Sequence, residues 1–479
     1  MSLKTIVLIL TCFIFFNIGH LSAQTRTSNG LNTYSLDLYQ NAKVNNENLL
    51  LSPISTYYAL LMAYDGSKNK TKAAFEKVLH LQKSDVAEND YLKGFLAKTD
   101  SSAAFKVSNA IWLDNRMRVK NGFRKAVSDK YSSDFKRTDF TDVGSAVLAI
   151  NGWVDKKTNH KIGEIISADD VTPSTRLLLL NAVYFKGKWL NKFSKSQTSA
   201  ATFFADVKSQ YKVGFMKMTE NLAYFENGDY QFVSKPYQNS DLSFCVILPK
   251  KLFGIEEIEQ KMDNVFFKSI LDSAKVANTQ LFIPKIKLES SVELSNVLKK
   301  AGLTPAFSEH ADFSGITETP LALDKVIHKT FIELDEEKTE SAAATAVTVR
   351  ITGLPSYKIF KADHPFLFFI IDNKSKAILF IGRYAKPTNG EKMETENLAS
   401  NLERKKTEKF STGNLHNSAL FVLDGNIISE AEFNGLSAEN IEAVHVYKDK
   451  SEIAKYSPKD YDGLVVITLK KGKKLLKTD

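Results

Sequence analysis

Helical patterns dominate the first part of the chain, and strand patterns dominate the part after it. Apolar residues recur at three- and four-residue spacing in LNTYSLDLYQNA and STYYALLMAY, which is typical of helices with one buried face. Short apolar segments rich in β-branched or aromatic residues come later and indicate strands: RLLLLNAVYF, LSFCVILP, HPFLFFIID and AILFIGRYA. Helices clustered early and strands late predict a large α+β domain with mixed or antiparallel sheets.

The first 23 residues have the composition of a secretory signal peptide. One lysine precedes an apolar run from Ile6 to Phe16, and the small residue Ala23 lies just before Gln24. The run is shorter than the roughly 20 residues that a membrane-spanning helix needs, and no later run would span a membrane. We therefore predict removal of residues 1–23 and no transmembrane segment afterwards. The expected location is extracellular, periplasmic or associated with an outer membrane.

Three regions come after the predicted signal peptide. Residues 24–387 carry the α+β pattern. Residues 388–415 are polar, charged and poor in aromatics, which is typical of a linker. Residues 416–479 regain order with SALFVLDGN, a helical pattern in AENIEAV, and strand patterns in VHVYKD and GLVVITLKKG, before a basic tail. The sequence therefore predicts a second, small α/β domain after the linker.

Local patterns of enzyme and metal chemistry are absent. The chain has no GxSxG, HExxH, CxxC, Walker or dinucleotide-binding motif, and its eight histidines are not at ligand spacing. A Ser/His/Asp arrangement assembled from distant segments would leave no local pattern, but nothing nominates one. We predict a protein that is not an enzyme and that needs no cofactor or metal.

Charge and cysteine content limit the partners further. The formal net charge is +9, but basic and acidic residues are interspersed, which favours a solvated basic surface over nucleic-acid binding. Cys12 lies inside the predicted signal peptide, so Cys245 is the single cysteine expected afterwards and an intrachain disulfide is excluded. In the apolar segment LSFCVILP we expect this thiol to be buried and inert.

Several motifs follow one another between Leu31 and Pro387: LLLSPISTYYALLMAYDGSKNKT, INGWVDKKTNHKIGEII, LLLLNAVYFKGKWLNKF, FIPKIKLESSVELSNVLKKAGLTPAFSEHADFSGIT, HKTFIELDEEKTESAAATAVTV and ADHPFLFFIIDNKSKAILFIGRYAKP. They resemble the motifs of the serpins, the serine protease inhibitor superfamily, and stand in that family's order. Together with the predicted signal peptide and the C-terminal region described below, the resemblance implies a secreted, bacterial member of the family. It also implies a metastable domain of three β-sheets and eight or nine helices, with an exposed reactive loop that can become an extra strand of the main sheet.

The segment after HKTFIELD resembles the serpin hinge. Its residues are Glu336, Glu337, Lys338, Thr339, Glu340, Ser341, Ala342, Ala343, Ala344 and Thr345. Alternate positions from Thr339 to Val349 are small or β-branched, so that face can be buried in a sheet, while the charges of Lys338, Glu340 and Arg350 point the other way. The alternative is an exposed, alanine-rich loop or short helix. Lys338 departs from the glycine that is usual in the family and reduces backbone freedom at the pivot.

The resemblance also implies roles for residues outside the hinge. Ser52, Ser55, Asn181 and His328 match the polar cluster beneath the central opening of the main sheet, and Trp189 matches the residue near which insertion starts. Counting seventeen residues from Glu336 by the family's usual spacing puts the reactive bond at Thr352–Gly353. The bond Ile351–Thr352 is the runner-up.

The implied function is suicide-type inhibition of serine or cysteine proteases. The protease would form a covalent acyl-enzyme with the loop and be trapped when the loop inserts. The alternatives are a non-inhibitory serpin that acts as a carrier or binding protein, and an envelope interaction protein. The last alternative rests on the C-terminal region, which resembles the plug of TonB-dependent receptors from Val422 to Gly425, in ENIEAVHVYKD and in DGLVVITLKK. Such a module would bind an envelope partner or be inert.

Overall fold

The chain divides into two compact units. The first comprises Met1–Phe203 and Val213–Gly390, and the second comprises Phe204–Lys212 and Glu391–Asp479. The computed structural model describes the following residues: 29–81, 105–206, 209–238, 240–336, 357–388, 390–393, 419–429, 432–433, 436, 441–447, 450–457, 461 and 463–469. The predicted signal peptide lies outside them.

Eight helices lie in the described part of the first unit, within the expected eight to nine. In chain order they are α1 (29–42), α2 (Pro53–Gly66), α3 (Asn69–Val78), α4 (Asn121–Tyr131), α5 (Val143–Lys157), α6 (Ile255–Lys261), α7 (Asn264–Ser273) and α8 (Ser295–Leu298). Helix α2 is buried along almost its whole length, because its sequence is apolar or small on every face. None of the helices in the described residues is long and apolar enough to cross a membrane.

The described strands number nineteen, and most of them follow α4. They are β1 (Leu49–Leu51), β2 (Phe105–Asp114), β3 (Asp134–Thr138), β4 (Leu177–Phe185), β5 (Ser199–Phe204), β6 (Gln210–Glu226), β7 (Tyr230–Pro236), β8 (Leu242–Pro249), β9 (Lys275–Pro284), β10 (Ile286–Glu293), β11 (Lys325–Leu334), β12 (Lys358–Lys361), β13 (Phe366–Asp372), β14 (Ile378–Tyr384), β15 (Glu391–Met393), β16 (Leu420–Leu423), β17 (Asn426–Ile428), β18 (Ile441–Tyr447) and β19 (Leu464–Leu469). The α+β class predicted from the sequence is confirmed.

A five-stranded sheet carries the candidate site. Its strand order is β10-β11-β4-β2-β3. Strands β4 and β11 lie at its centre and pair in parallel, from Lys325 with Leu178 to Ile332 with Phe185. Strand β4 is buried at all nine positions, as the apolar run RLLLLNAVYF predicts. Antiparallel pairing holds β4 to β2 on one side and β11 to β10 on the other.

Helix α5 covers one face of the five-stranded sheet. The indole of Trp153, on the helix, meets that of Trp112, on β2, edge to face with ring centres 6.3 Å apart. Ile150 and Val154 of the helix and Leu180 of β4 belong to the same buried cluster. Burial of this apolar surface is the main contribution that holds the helix against the sheet.

The other large sheet runs β1-β14-β13-β8-β7-β6-β9-β12, and β5 and β15 also pair with β6. The 17-residue strand β6 pairs with β9 over residues 215–224 and with β7 over residues 223–226. Two of the three sheets expected for this region are therefore continuous through β6. The predicted strands LSFCVILP, HPFLFFIID and AILFIGRYA are confirmed as β8, β13 and β14.

The second unit contains a four-stranded sheet of order β17-β16-β19-β18 and a short helix, α9 (Lys450–Ile453). The helix predicted in AENIEAV is wrong where the structure describes that segment, because Ile441–Tyr447 is a strand that pairs antiparallel with β19. The alternation in IEAVHVY suits a sheet better than a helix. Within the predicted linker 388–415, Glu391–Met393 forms strand β15 and pairs with Gln210–Lys212.

Candidate functional site

The pairing between β4 and β11, which we call the seam, is crossed by side-chain contacts near the end where β11 finishes. Trp189 follows β4 by a few residues, and its indole Nε1 donates a 2.9 Å hydrogen bond to the carbonyl oxygen of Asp335. Lys186 is paired with Glu333 at 2.8 Å and with Asp335 at 3.4 Å. These contacts tie the last residues of β11 to the segment that comes after β4. We call this the upper end of the seam.

Trp189 is almost completely buried, and its surroundings are aromatic and charged. Its ring stacks on that of Tyr237, with centres 4.6 Å apart and planes 10° from parallel. The ammonium of Lys235 lies 5.6 Å from the centre of the indole and pairs with Glu220 at 2.8 Å. Burial lowers the pKa of Lys235, although the contact with Glu220 opposes that shift. Trp189 therefore belongs both to the core and to the upper end of the seam.

Glu336 is the one predicted hinge residue that the structure describes. Its side chain is only 4% exposed and pairs with Lys285 at 2.7 Å. The hydroxyl of Thr198 donates a second hydrogen bond to the carboxylate, at 2.6 Å. Burial would raise the pKa of Glu336, but the hydrogen bonds from Lys285 and Thr198 outweigh it and hold the pKa below its ordinary value. The hinge therefore starts from a fixed, ionised carboxylate.

The predicted polar cluster forms one buried hydrogen-bond network in the middle of the seam. His328 on β11 and Asn181 on β4 are register partners, and Nδ1 of the imidazole lies 2.5 Å from the amide Oδ1. Asn181 Nδ2 donates to Ser55 Oγ and to Asn109 Oδ1. Ser52, Ser55, Asn181 and His328 are all fully buried. The structure therefore brings together all four residues that the resemblance singled out.

The contacts of His328 define its protonation. The backbone N–H of Ser52 donates to Nε2 at 2.9 Å, so this nitrogen is an acceptor and carries no proton. Nδ1 then donates to Asn181 Oδ1. Burial lowers the pKa of His328 to about 3, which keeps the ring neutral at physiological pH. Both ring nitrogens are thus satisfied in the neutral form alone.

Sequence reasoning missed three contributors to the site. Asn109 of β2 extends the polar network because it is the register partner of Asn181. Thr198 and Lys285 hold the carboxylate of Glu336 from two other segments of the chain. The polarity of Asn109 within FKVSNAIWL was a usable signal, since a buried amide needs hydrogen-bond partners. Thr198 and Lys285 had no distinguishing local pattern.

Most of the predicted loop residues lie outside the described residues. These are the hinge positions Glu337, Lys338, Thr339, Glu340, Ser341, Ala342, Ala343, Ala344 and Thr345, and the reactive-bond positions Ile351, Thr352 and Gly353. The described residues continue past the end of β11 to Glu336 and resume at Tyr357, just before β12.

Cys245 is confirmed as a free, buried cysteine. Its Sγ lies 3.3 Å from Ser234 Oγ, and burial raises the pKa of the thiol to about 12. A thiol that stays protonated is a poor nucleophile. Within the residues that the structure describes, no group of three or more His, Cys, Asp or Glu side chains is placed to hold a metal ion.

Most of this chain, including the seam, matches the sequence model of one protein family. The family model described as Serpin (serine protease inhibitor) matches residues 29–387 of this chain. The chain belongs to the serpin family. The match covers the two large sheets except for β15, together with the upper and middle contacts of the seam, and it ends where the predicted linker begins.

Individual relatives agree with this assignment. This serpin is 36% identical over 371 residues to an uncharacterized serpin-like protein of Thermococcus kodakarensis, covering 76% of this chain and 86% of the relative. It is 34% identical to Serpin B6 of Pongo abelii, covering 74% and 98%. The solved structure described as a tumour suppressing serpin superposes with a TM-score of 0.69 at 27% identity, covering 76% of this chain and all of that one.

Proposed function

We propose that this serpin is a suicide-type inhibitor of serine proteases, with cysteine proteases as a second target class. The observation that carries the proposal is the seam itself. Strands β4 and β11 pair in parallel at the centre of the sheet, and a fixed hinge carboxylate marks the point where the loop leaves β11. A loop that turns back at Glu336 would run antiparallel to both strands.

Insertion of the loop would improve the hydrogen bonding of the sheet. One parallel ladder would be replaced by two antiparallel ladders, which are slightly more stable per residue. The buried face of the inserted strand would be Thr339, Ser341, Ala343, Thr345, Val347 and Val349, all small or β-branched. The hydrogen bond between His328 and Asn181 would have to break, because those residues face each other across the seam. The network thus resists opening until insertion begins.

The protease supplies the chemistry in this mechanism. Its nucleophile attacks the carbonyl carbon of the reactive bond, the amine of the next residue leaves, and an acyl-enzyme remains. The freed loop then inserts and carries the acylated protease along the sheet. A 17-residue strand spans about 55 Å at about 3.3 Å per residue, enough to distort the protease active site against the body of the serpin. Deacylation becomes slow, and each inhibitor acts once.

The decisive test is whether a covalent complex forms. Purified protein is incubated with a panel of elastase-like, subtilisin-like, trypsin-like and papain-like proteases and then boiled in detergent. We expect a band at the summed mass with at least one of them. Cleavage of the loop by every protease of the panel, with no such band, would contradict the inhibitory proposal.

The same experiment locates the reactive bond. Mass spectrometry of the peptide released from the trapped complex should find a fragment that starts at Gly353. A fragment that starts at Thr352 moves the bond by one residue, to Ile351–Thr352. A fragment that starts at Ile351 would place the bond after Arg350 and contradict the argument from strand length.

A non-inhibitory serpin is the second candidate, and Lys338 favours it. The family's usual glycine at this position moves more freely through the backbone angles that a pivot needs. If Lys338 slows insertion enough, the acyl-enzyme is hydrolysed first and the protein is only a substrate. Lys338→Gly then restores the detergent-stable band, whereas an inhibitor already forms it with Lys338 in place.

We also propose that the chain is a bacterial secreted protein that works outside the cytoplasm after removal of residues 1–23. The apolar run from Ile6 to Phe16 and the small residue Ala23 support this. Expression of the full chain in a Gram-negative host, with N-terminal sequencing of the exported protein, should give Gln24 first. Retention of Met1 in an exported protein would contradict the cleavage site.

For the C-terminal unit we propose a plug-like module that binds an envelope partner. Its support is the sequence resemblance from Val422 to Gly425 and in ENIEAVHVYKD and DGLVVITLKK. The alternative is an inert appended domain. Crosslinking in an envelope preparation, compared between the full chain and a chain without residues 416–479, distinguishes them. A partner lost on deletion supports binding, and identical crosslinks support the inert domain.

A further inference from the structure

The lower end of the seam, opposite to Glu336, is also closed by a side chain. Asp324 immediately precedes β11, and its Oδ2 accepts hydrogen bonds from the backbone N–H of Arg176 and of Leu177, both at 2.8 Å. The backbone N–H of Asp324 donates in turn to the carbonyl oxygen of Leu177 at 3.0 Å. Three hydrogen bonds therefore join the start of β11 to the start of β4 through one residue.

Asp324 differs from the other contacts of the seam in its position along the insertion path. Trp189 and Lys186 act at the upper end, and the network of His328 and Asn181 acts in the middle. A strand that enters from Glu336 meets those contacts first. It reaches Asp324 only when insertion is almost complete. Asp324 therefore cannot resist the start of insertion but can resist its end.

We propose that Asp324 is a positioning residue that latches the lower end of the seam and sets the rate of the last step of loop insertion. This proposal rests on the proposed function, because it needs a loop that enters between β4 and β11. With the latch closed, a partly inserted acyl-enzyme has time to deacylate. Opening of the latch commits the complex to the trapped state, so Asp324 sets the fraction of encounters that end in inhibition.

The carboxylate is suited to this role chemically. An ionised oxygen that accepts two N–H bonds makes stronger contacts than a neutral acceptor does. Partial burial raises the pKa of the Asp324 carboxyl, and the hydrogen bonds from Leu177 and Arg176 oppose that shift. The residue as a whole is exposed, so water can replace the two donors when the strands separate. The latch is thus closed in the native state and can open without leaving a buried charge.

Peptide insertion tests the latch without a protease. Two synthetic peptides are added to the full chain: residues 337–350, about 46 Å long as a strand, and residues 337–344, about 26 Å long. Strand β11 has 10 residues, so the long peptide reaches Asp324 and the short one ends above it. Rates of entry are measured by native gel and mass spectrometry. In Asp324→Ala we expect the long peptide to enter about three- to tenfold faster, with the rate of the short peptide unchanged.

Two further variants separate a latch from a general loss of stability. Asp324→Asn keeps a neutral acceptor, so it should give a smaller acceleration, and it serves if the alanine variant does not fold. Glu289→Ala removes an acid on β10 that pairs with Lys329 of β11 at 2.9 Å, so the lost contact lies on the side of β11 away from β4. It should leave the ratio of the two rates as in the wild type.

The outcomes distinguish the latch from the proposed function. Equal acceleration of both peptides in Asp324→Ala, or a ratio of the two rates that rises as much in Glu289→Ala as in Asp324→Ala, overturns the latch while insertion stands. If neither peptide enters the wild-type chain, strand insertion itself fails, and the latch falls with it.

Discussion

His328 makes the middle of the seam sensitive to acid. In the native chain both ring nitrogens are satisfied only when the ring is neutral, and burial lowers the pKa of His328 to about 3. In the unfolded chain the same ring should titrate near its ordinary pKa of about 6.5. The unfolded state therefore binds more protons than the native state between these two values.

We expect the free energy of unfolding to be highest above about pH 6.5 and to fall as the pH drops from there towards 3, because protonation then favours the unfolded chain. The largest slope from this one group is about 1.4 kcal/mol per pH unit. Thermal unfolding of the wild type and of His328→Gln between about pH 4.5 and 7.5 measures it. The variant should have a flatter profile, and parallel profiles would show that another group causes the acid sensitivity.

Lys285 is expected to stabilise the start of the hinge. Loss of its ammonium leaves the carboxylate of Glu336, which is only 4% exposed, with Thr198 as its remaining hydrogen-bond donor among the side-chain contacts of the site. We expect Lys285→Met to lower the free energy of unfolding by about 1 to 2 kcal/mol, a modest value because Lys285 itself is half exposed. Lys287→Met is the matched control. It makes the same substitution two residues away, where the ammonium lies over the ring of Phe331 and not against Glu336. Equal losses in both variants would mean that the ion pair contributes nothing specific.

At the scale of elements, the sequence predicted strands β4, β8, β13 and β14 because their residues are mostly apolar. Strand β4 and strands β8, β13 and β14 are buried at every position, so no surrounding structure is needed to recognise them. Strand β6 was not recognised because its buried, partly buried and exposed positions are mixed along 17 residues. Its strand character depends on pairing with β9 and β7, and pairing is a tertiary property.

The residues of the candidate site were likewise predictable only in part. Its four polar residues could be named because they stand in motifs of the family. Their partners could not, since Asn109 is brought to Asn181 by the register of β2 against β4. Asp324 likewise meets Leu177 only because β11 lies beside β4. Contacts between residues distant in sequence are determined by topology, and local patterns do not contain them.

The alternation in the loop gives a test of which face would be buried. Thr339→Arg would place a charge beneath the sheet in the inserted state, at a cost of several kcal/mol. We expect this variant to be cleaved as a substrate with little trapping. Glu340→Arg introduces the same side chain at the neighbouring position, whose side chain would point away from the core, and should reduce trapping much less. Detergent-stable complex per cleaved inhibitor is the measurement, and equal losses in the two variants would show that the parity is wrong.

At the scale of the whole molecule, the serpin region and the C-terminal unit differ in what they contribute. The family match ends at residue 387, and every contact of the seam lies before it. Strand β15 comes after that boundary and pairs with Gln210–Lys212. Removal of the C-terminal region can therefore leave the seam intact. It does remove β15, the strand that pairs with the start of β6.

Two truncations separate these effects. A chain that ends at Pro387 loses β15, whereas a chain that ends at Met393 keeps it. We expect both to trap protease as efficiently as the full chain, because loop, hinge and seam are complete in each. The shorter chain should be the less stable of the two, by about 1 kcal/mol, since Gln210–Lys212 loses its hydrogen-bonded partner. Thermal unfolding measures the stability, and the yield of detergent-stable complex measures the trapping. Loss of trapping in both folded truncations would make the C-terminal unit part of the inhibitory mechanism. Loss in the Pro387 chain alone would assign that role to β15.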